Sequence, residues 1–265
     1  MTSFGHPRRH LATADSTNER ARELAIEGAP SGTVVTAGLQ TAGRGRRGRT
    51  WSAPAGKALL CSAILAPLEL EHAMLPLAVP LAVCEAAESL APLECLVKWP
   101  NDVWVSELKA AQGDGEAGKA GPGPSTRADV FGRKLAGVLI EAEPPAWAVI
   151  GIGLNVSIEP AEFPDDLRQP ATSIGHGVGV EDALGAVCER LGGWVAADAT
   201  LVLAEFARRD ALAGHRVSWA GAGGASADGT GVAEGIDERG NLVVVADGGE
   251  RLSLGAGEIQ LVGHA

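Results

Sequence analysis

Apolar residues recur along the chain with two alternating periods, and the alternation sets out the elements. Residues 16–27 carry helical spacing, opened by Ser16 with Glu19 three positions on as a capping box and stopped by Gly28. Residues 33–39 are β-rich, and residues 58–65 form a largely apolar run after Pro54 and Gly56, which predicts a buried strand. Residues 74–90, rich in Ala and Leu, predict a helix with Pro76 and Pro80 near its start or at a kink. Strand patterns return at residues 96–105, 135–142 and 147–158, and residues 180–212 revert to helical spacing. This mixture predicts an α+β fold with a mixed sheet, not an α/β barrel.

Two segments break the pattern. Residues 110–128 hold Gly, Ala, Pro, Ser and Thr with scattered charges and almost nothing a core could bury, so a flexible insertion is expected at about residues 107–131. Beyond Gly214 the strands shorten to residues 216–219, 231–236, 242–245, 251–254 and 259–262, separated by turn signals such as Asp247-Gly248-Gly249. These short strands predict a small β-barrel and a domain boundary near Ala213, dividing the chain into residues 1–212 and 213–265.

Composition narrows the functional classes. Asp and Glu number 33 against 22 Lys and Arg, a net charge of −11. That charge disfavours a duplex-DNA binder, whose basic face has to neutralise phosphates, but leaves room for a local basic pocket. Aromatic residues are only 4% with no Tyr, so Leu, Val and Ile carry the core. No apolar run reads as approaching the roughly 18 residues of a membrane span. Residues 1–10 have arginines without an apolar stretch behind them, so no signal peptide is expected and the chain reads as cytoplasmic. Cys61, Cys84, Cys95 and Cys188 never form C-x-x-C and are expected as reduced, buried small hydrophobes.

The strongest chemical signal is the loop Gly43-Arg44-Gly45-Arg46-Arg47-Gly48-Arg49. Arginine forks suit phosphate and carboxylate, and glycine lets backbone amides approach an anion. A solvated basic stripe, a plain long turn and a Walker A loop compete with that reading. Gly43-x4-Gly48-Arg49-Thr50 misses the Walker pattern by its lysine, and Pro54 and Gly56 leave no room for the helix that should follow. Further candidates are Lys98-Trp99-Pro100-Asn101-Asp102 at a strand end and Arg133-Lys134 directly before a strand. Gly151-Ile152-Gly153-Leu154-Asn155-Val156 departs from the dinucleotide pattern at Val156. Asp15-Ser16-Thr17-Asn18 is explained by helix capping alone. The six histidines form no ligand spacing, so no protein metal site is expected.

Taken in order, these strings resemble the biotin–protein ligases, in a form without an N-terminal DNA-binding domain. The resemblance runs from Asp15-Ser16-Thr17-Asn18 through Gln40 to Arg49 with Trp51, Lys98 to Asp102 and Arg133 to Gly137, and ends at Gly151 to Asn155. The related lipoate ligases use a different arginine, glycine and histidine pattern. The resemblance implies a class II synthetase-like mixed-sheet catalytic domain of the biotin–lipoate ligase kind, with a C-terminal SH3-like β-barrel. It also implies a two-step reaction: biotin and ATP give biotinyl-5′-AMP, and the ε-amine of a lysine on a biotin carboxyl carrier protein domain then takes the biotin. Mg²⁺ is expected with ATP. The acceptor carboxylase and the oligomeric state are left open.

Residue roles follow from the same resemblance. Ser16, Thr17, Asn18 and Gln40 would bind biotin's ureido group and its surroundings, with the bicyclic ring against strands near Gly137 and Gly153. Gly43, Arg44, Gly45 and Arg46 would fold over the ligand. Arg44, Arg46, Arg47, Arg49, Trp51, Asn101 and Asn155 would contact the adenylate side. Lys134 would hold biotin carboxyl and α-phosphate oxygens and, with Arg44, serve catalysis. Asp102 would orient or deprotonate the incoming lysine. Only fourteen residues precede Asp15, so operator binding and a repressor function are not expected. A non-catalytic biotin sensor, a lipoate or octanoate transferase and a P-loop ATPase are the rivals.

Overall fold

A computed structural model of the chain describes residues 2–106, 132–220, 228–255 and 258–262. The expected insertion at 107–131 lies outside the described residues. Seven strands form one sheet: β1 (Arg8–Leu11), β2 (Val34–Ala37), β3 (Ala58–Leu65), β4 (Cys95–Lys98), β5 (Asp102–Ser106), β6 (Gly132–Glu143) and β7 (Trp147–Asn155). Their spatial order is β1-β2-β3-β7-β6-β5-β4, with β1 and β2 parallel and every other pair antiparallel. β3 is buried along its whole length, Ser62 included, as its largely apolar run predicts.

Each face of this sheet has its own cover. Helix α1 (Thr17–Ile26) sets Ala21 and Ala25 against Val35, Ile64 and Val149. The opposite face carries Cys61, Ala63, Val138, Ile150 and Leu154 and is covered by α2 (Leu75–Leu90) and α3 (Val180–Val195). Alanines and small apolar residues make Leu81 to Ala87 of α2 almost wholly buried, and Pro80 lies inside the helix. The span Leu70–Leu90 is long and apolar enough to cross a membrane, which corrects the expectation that no stretch comes near that length. Its burial against the sheet and α3 explains the composition: the helix is hydrophobic all round because it is core.

Other boundaries differ from the sequence pattern for local reasons. Residues 180–212 form two helices, α3 and α4 (Ala199–Arg209), because Asp198 caps the second through the amide of Leu201 at 2.9 Å. Residues 96–105 fold back on themselves as the β4–β5 hairpin, turning at Trp99-Pro100-Asn101. Strand β1, with three of its four residues exposed, has no apolar run to announce it. Gly28, at φ +85°, ends α1 as expected, but Ser16 makes no side-chain cap and Glu19 turns to Arg22 and Arg44 instead, so the capping box is not formed.

The C-terminal strands are β8 (Arg216–Ala220), β9 (Gly229–Ile236), β10 (Leu242–Ala246), β11 (Arg251–Leu254) and β12 (Glu258–Leu261). They form an antiparallel sheet in the order β11-β10-β9-β8-β12. β11 and β12 hold opposite edges, yet only residues 255–257 join them. Flat, those edges would lie about 19 Å apart, beyond the roughly 14 Å that four residue steps can reach. The sheet is therefore strongly curled. Val217, Trp219, Leu242, Val244 and Ile259 join the same apolar cluster as α2 and α3.

Candidate active site

Directly opposed residues on neighbouring strands share a face. The register therefore sets Lys98, Asp102, Gly137, Gly153 and Leu60 in one row, with Leu139, Gly151, Ser62 and Val35 in the next. A cavity opens over these rows, bounded by the start of α1, the Arg–Gly loop and the β4–β5 turn.

Short neutral side chains build one end. Thr17 and Asn18, in the first turn of α1, are buried and face the sheet. The side-chain carbonyl of Gln40 accepts from the Thr17 amide at 2.6 Å and from its hydroxyl at 3.1 Å, satisfying one of the open donors of the helix start. Ser62 Oγ lies 2.6 Å from Asn18 Oδ1 and 2.8 Å from Thr17 Oγ1. Gly151 is required here, since a Cβ would stand 2.0 Å from Asn18 Oδ1. Ser16, free of the expected capping role, lines the cavity beside this group.

Long cationic side chains build the other end. The Arg–Gly loop is a small hairpin: Arg44 bridges Thr50, the Gly45 amide donates to Arg49 O at 2.7 Å, and Trp51 N donates to Gly43 O at 3.0 Å. Its tip turns through the left-handed region at Arg47 (φ +56°) and Gly48 (φ +71°). Arg46 donates to Asn101 Oδ1 at 3.2 Å, and Asn101 Nδ2 donates to Val138 O at 3.0 Å. Partial burial, with Arg47 beside it, pulls Arg46 below the ordinary guanidinium range, as for a half-buried cation suited to an anionic partner. Arg47 reaches Ala220 O at 3.1 Å, and Ile259 of β12 lines the cavity, so the C-terminal sheet closes this end. Trp99 donates its indole N–H to Gly240 O at 3.0 Å and anchors the same sheet to the β4–β5 turn.

Lys134 stands between the two ends. A register shift in β5 after Val103 sets Trp104 opposite Lys134, whose Nζ donates to Asp102 Oδ1 at 2.8 Å and lies 5.6 Å from the Trp51 ring centre. The floor that the resemblance gives to a bicyclic ring instead seats Trp51. Its ring would meet a Cβ at Gly153 at 2.4 Å and one at Gly137 at 3.1 Å.

Of the residues the sequence marked, Ser16, Thr17, Asn18, Gln40, Arg44 and Gly45 line the cavity. So do Arg46, Arg47, Arg49, Trp51, Asn101, Asp102, Lys134, Gly137 and Gly153. Two stand apart. Gly43 underlies the loop, where a Cβ would lie 2.3 Å from Trp51 O. Asn155 is buried and donates to Thr172 O at 3.0 Å, holding a neighbouring segment. Ser62 and Glu141 were not singled out in the sequence, and Lys98 and Gly151 were marked only as parts of longer strings, with no role of their own. Ser62 is the one polar residue of the apolar run 58–65, a signal that was available. Lys98 is buried, with Nζ 4.8 Å from the Trp104 ring centre. Burial pushes the Cys61 and Cys84 thiols well up, and that of Cys188 up to about 11, so these stay protonated packing groups.

A model of the biotin/lipoate A/B protein ligase family matches residues 11–155. The chain belongs to that family. A biotin protein ligase C-terminal domain matches residues 221–262. The chain is 32% identical over 264 residues to the biotin–[acetyl-CoA-carboxylase] ligase of Mycobacterium tuberculosis, covering 94% of this chain and 86% of that one. It is 34% identical over 170 residues to the bifunctional ligase/repressor BirA of Bacillus subtilis, matching 62% of this chain but only 45% of that relative's length. The biotin protein ligase of Aquifex aeolicus in complex with biotin and ATP superposes with a TM-score of 0.75 at 25% identity, over 97% of this chain and all of the other.

Proposed function

We propose that this chain is an ATP-dependent biotin–protein ligase. In the first step a biotin carboxylate oxygen attacks the α-phosphorus of ATP, the bond to the β-phosphate oxygen breaks and pyrophosphate leaves. In the second, the amine of a carrier-domain lysine attacks the acyl carbon, AMP departs and the amine loses a proton. One observation carries the reading: a single cavity joins a buried neutral pocket to a cationic end, with Lys134 between them. Thr17, Gln40 and Ser16 offer a ureido group short hydrogen-bonding partners in fixed positions. Arg46, Arg47 and Arg49 suit a polyphosphate. Lys134 would bind the carboxylate and the α-phosphate together and stabilise the charge that builds between them. Asp102 orients that lysine.

Mg²⁺ would come with the nucleotide, held chiefly by its phosphates. The acceptor is a lysine of a biotin carboxyl carrier domain, in line with the name of the mycobacterial relative. Residues 1–212 form the catalytic unit. The curled sheet of residues 213–265 is the SH3-like barrel of the resemblance, and through Arg47 and Trp99 it braces the phosphate end. The test is biotin-dependent ATP–pyrophosphate exchange on the purified chain, with lipoate and octanoate as controls. Exchange with biotin alone is expected. Exchange with lipoate or octanoate alone, or with no acid at all, overturns the assignment.

A further inference from the structure

Outside the cavity wall described above, Glu141 stands on β6, one row beyond Leu139, and the register sets it opposite Val149. Its two oxygens are divided. Oε1 accepts from Arg44 Nη2 at 2.9 Å, and Oε2 accepts from Asn18 Nδ2 at 2.8 Å. Arg44 completes its fork on Glu19 Oε2 at 3.1 Å, while Glu19 also receives Arg22. The second hydrogen of the Asn18 amide has Leu139 O at 3.3 Å, and Asn18 Oδ1 faces Ser62. With the Thr17 amide donating to Gln40, the Thr17 hydroxyl turned to Ser62 and the single Ser62 proton given to Asn18 Oδ1, one hydrogen-bonded chain runs Gln40, Thr17, Ser62, Asn18, Glu141, Arg44. It begins in the neutral pocket and ends in the Arg–Gly loop.

We propose that Glu141 is a positioning residue that ties the Arg–Gly loop to the neutral pocket, and that Arg44 is the loop's anchor and not one of its phosphate ligands. Charge argues for it first. Arg44 already faces two carboxylates that offset its charge, so a polyphosphate would compete with both for it. Valence argues second. A carboxylate can accept on both sides at once, whereas an amide in its place must turn an NH₂ towards either Arg44 or Asn18, each of which is itself a donor. Location argues third. Arg44 and Thr50 form the base of the hairpin, so fixing Arg44 fixes the line along which the tip approaches the ligand.

The functional half of this proposal rests on the ligase reading; the structural half does not, and the experiment separates them. Amide hydrogen exchange is followed on the full chain and on Glu141→Gln, with no ligand added, at the hairpin amides of Gly45 and Trp51 and at β7 amides as an internal control. Glu143→Gln, the same charge change at the exposed end of the same strand, is the second control. The expected result is at least tenfold faster exchange at Gly45 and Trp51 in Glu141→Gln only, with β7 unchanged. Equal protection in both proteins, or a loss spread evenly over β7, overturns the proposal. Pyrophosphate exchange then reads the consequence. A KM for biotin raised about tenfold at nearly constant kcat is expected, because a loosened loop weakens ligand retention more than chemistry. A fall in kcat with KM unchanged overturns the positioning role. If the unaltered chain shows no biotin-dependent exchange while hairpin protection still depends on Glu141, the ligase reading fails and the anchor stands.

Discussion

The two ends of the cavity solve recognition in opposite ways. At the neutral end, Ser16, Thr17 and Asn18 are buried, their side chains are short, and glycine at 151 lets Asn18 press onto the sheet. At the cationic end Arg47 and Arg49 are exposed, and Arg46 is partly withdrawn from water. Short buried groups lose little freedom on binding and discriminate by leaving partners unpaired when the ligand is wrong. Long exposed cations adapt to an ionic ligand and discriminate little beyond charge. The pairing suits a reaction in which one substrate must be told from its analogues while the other is held by its phosphates.

Removing the group between the ends should have the largest effect on activity. Lys134→Met is expected to lower biotin-dependent exchange on the order of 10²–10³-fold, the range for losing one preorganised donor to developing charge. Single-turnover formation of biotinyl-5′-AMP checks it, and near-normal turnover would take Lys134 out of the chemistry. Next is the floor. Gly153→Ala sets a methyl 2.4 Å from the Trp51 ring, so it should cost about 1–3 kcal/mol of stability and shift Trp51 fluorescence. Denaturant titration reads the first and emission the second. Asp102→Asn should be milder. Losing the charge facing Lys134 is worth about tenfold, in adenylation and transfer alike, because Asp102 acts through Lys134. A loss confined to the transfer step would assign Asp102 to the acceptor amine instead.

The elements of this contrast were unequally legible in the sequence. Arg46 lies in a string whose residue types announce anion chemistry, Lys134 and Asp102 stood out only through the resemblance, and the cavity gathers all three. The strands β3, β6 and β7 were legible for a related reason, as β-branched and apolar runs state burial directly. β1 was not, because an edge strand of Arg8, Arg9, His10 and Leu11 buries too little to leave a pattern. Gly151 and Gly153 were visible as glycines, but not their purpose, which depends on Asn18 and Trp51 arriving from distant parts of the chain. Glu141 gave no signal at all: a glutamate near the end of a strand in an acidic chain is indistinguishable from a solvated charge until Arg44 and Asn18 are placed around it. What sequence withholds here is the partner, not the residue type.

The smallest expected effect is also the most direct test of the contrast, since it alters no residue. Salt screens exposed charges over about 10 Å at 0.1 M and buried hydrogen bonds hardly at all. Arg47 and Arg49 are exposed at the phosphate end, whereas Thr17, Asn18 and Ser62 are buried at the other. Raising ionic strength from about 0.05 to about 0.3 M should therefore raise the KM for ATP roughly three- to fivefold and move the KM for biotin by less than about 1.5-fold. Ser16→Ala should do the reverse at constant salt. Losing one neutral hydrogen-bonding group of about 1 kcal/mol raises the KM for biotin roughly fivefold and leaves that for ATP in place. Parallel movement of both constants in either experiment would mean that the two ends act as one rigid site, and that the chain through Asn18 and Glu141 couples them in binding as well as in structure.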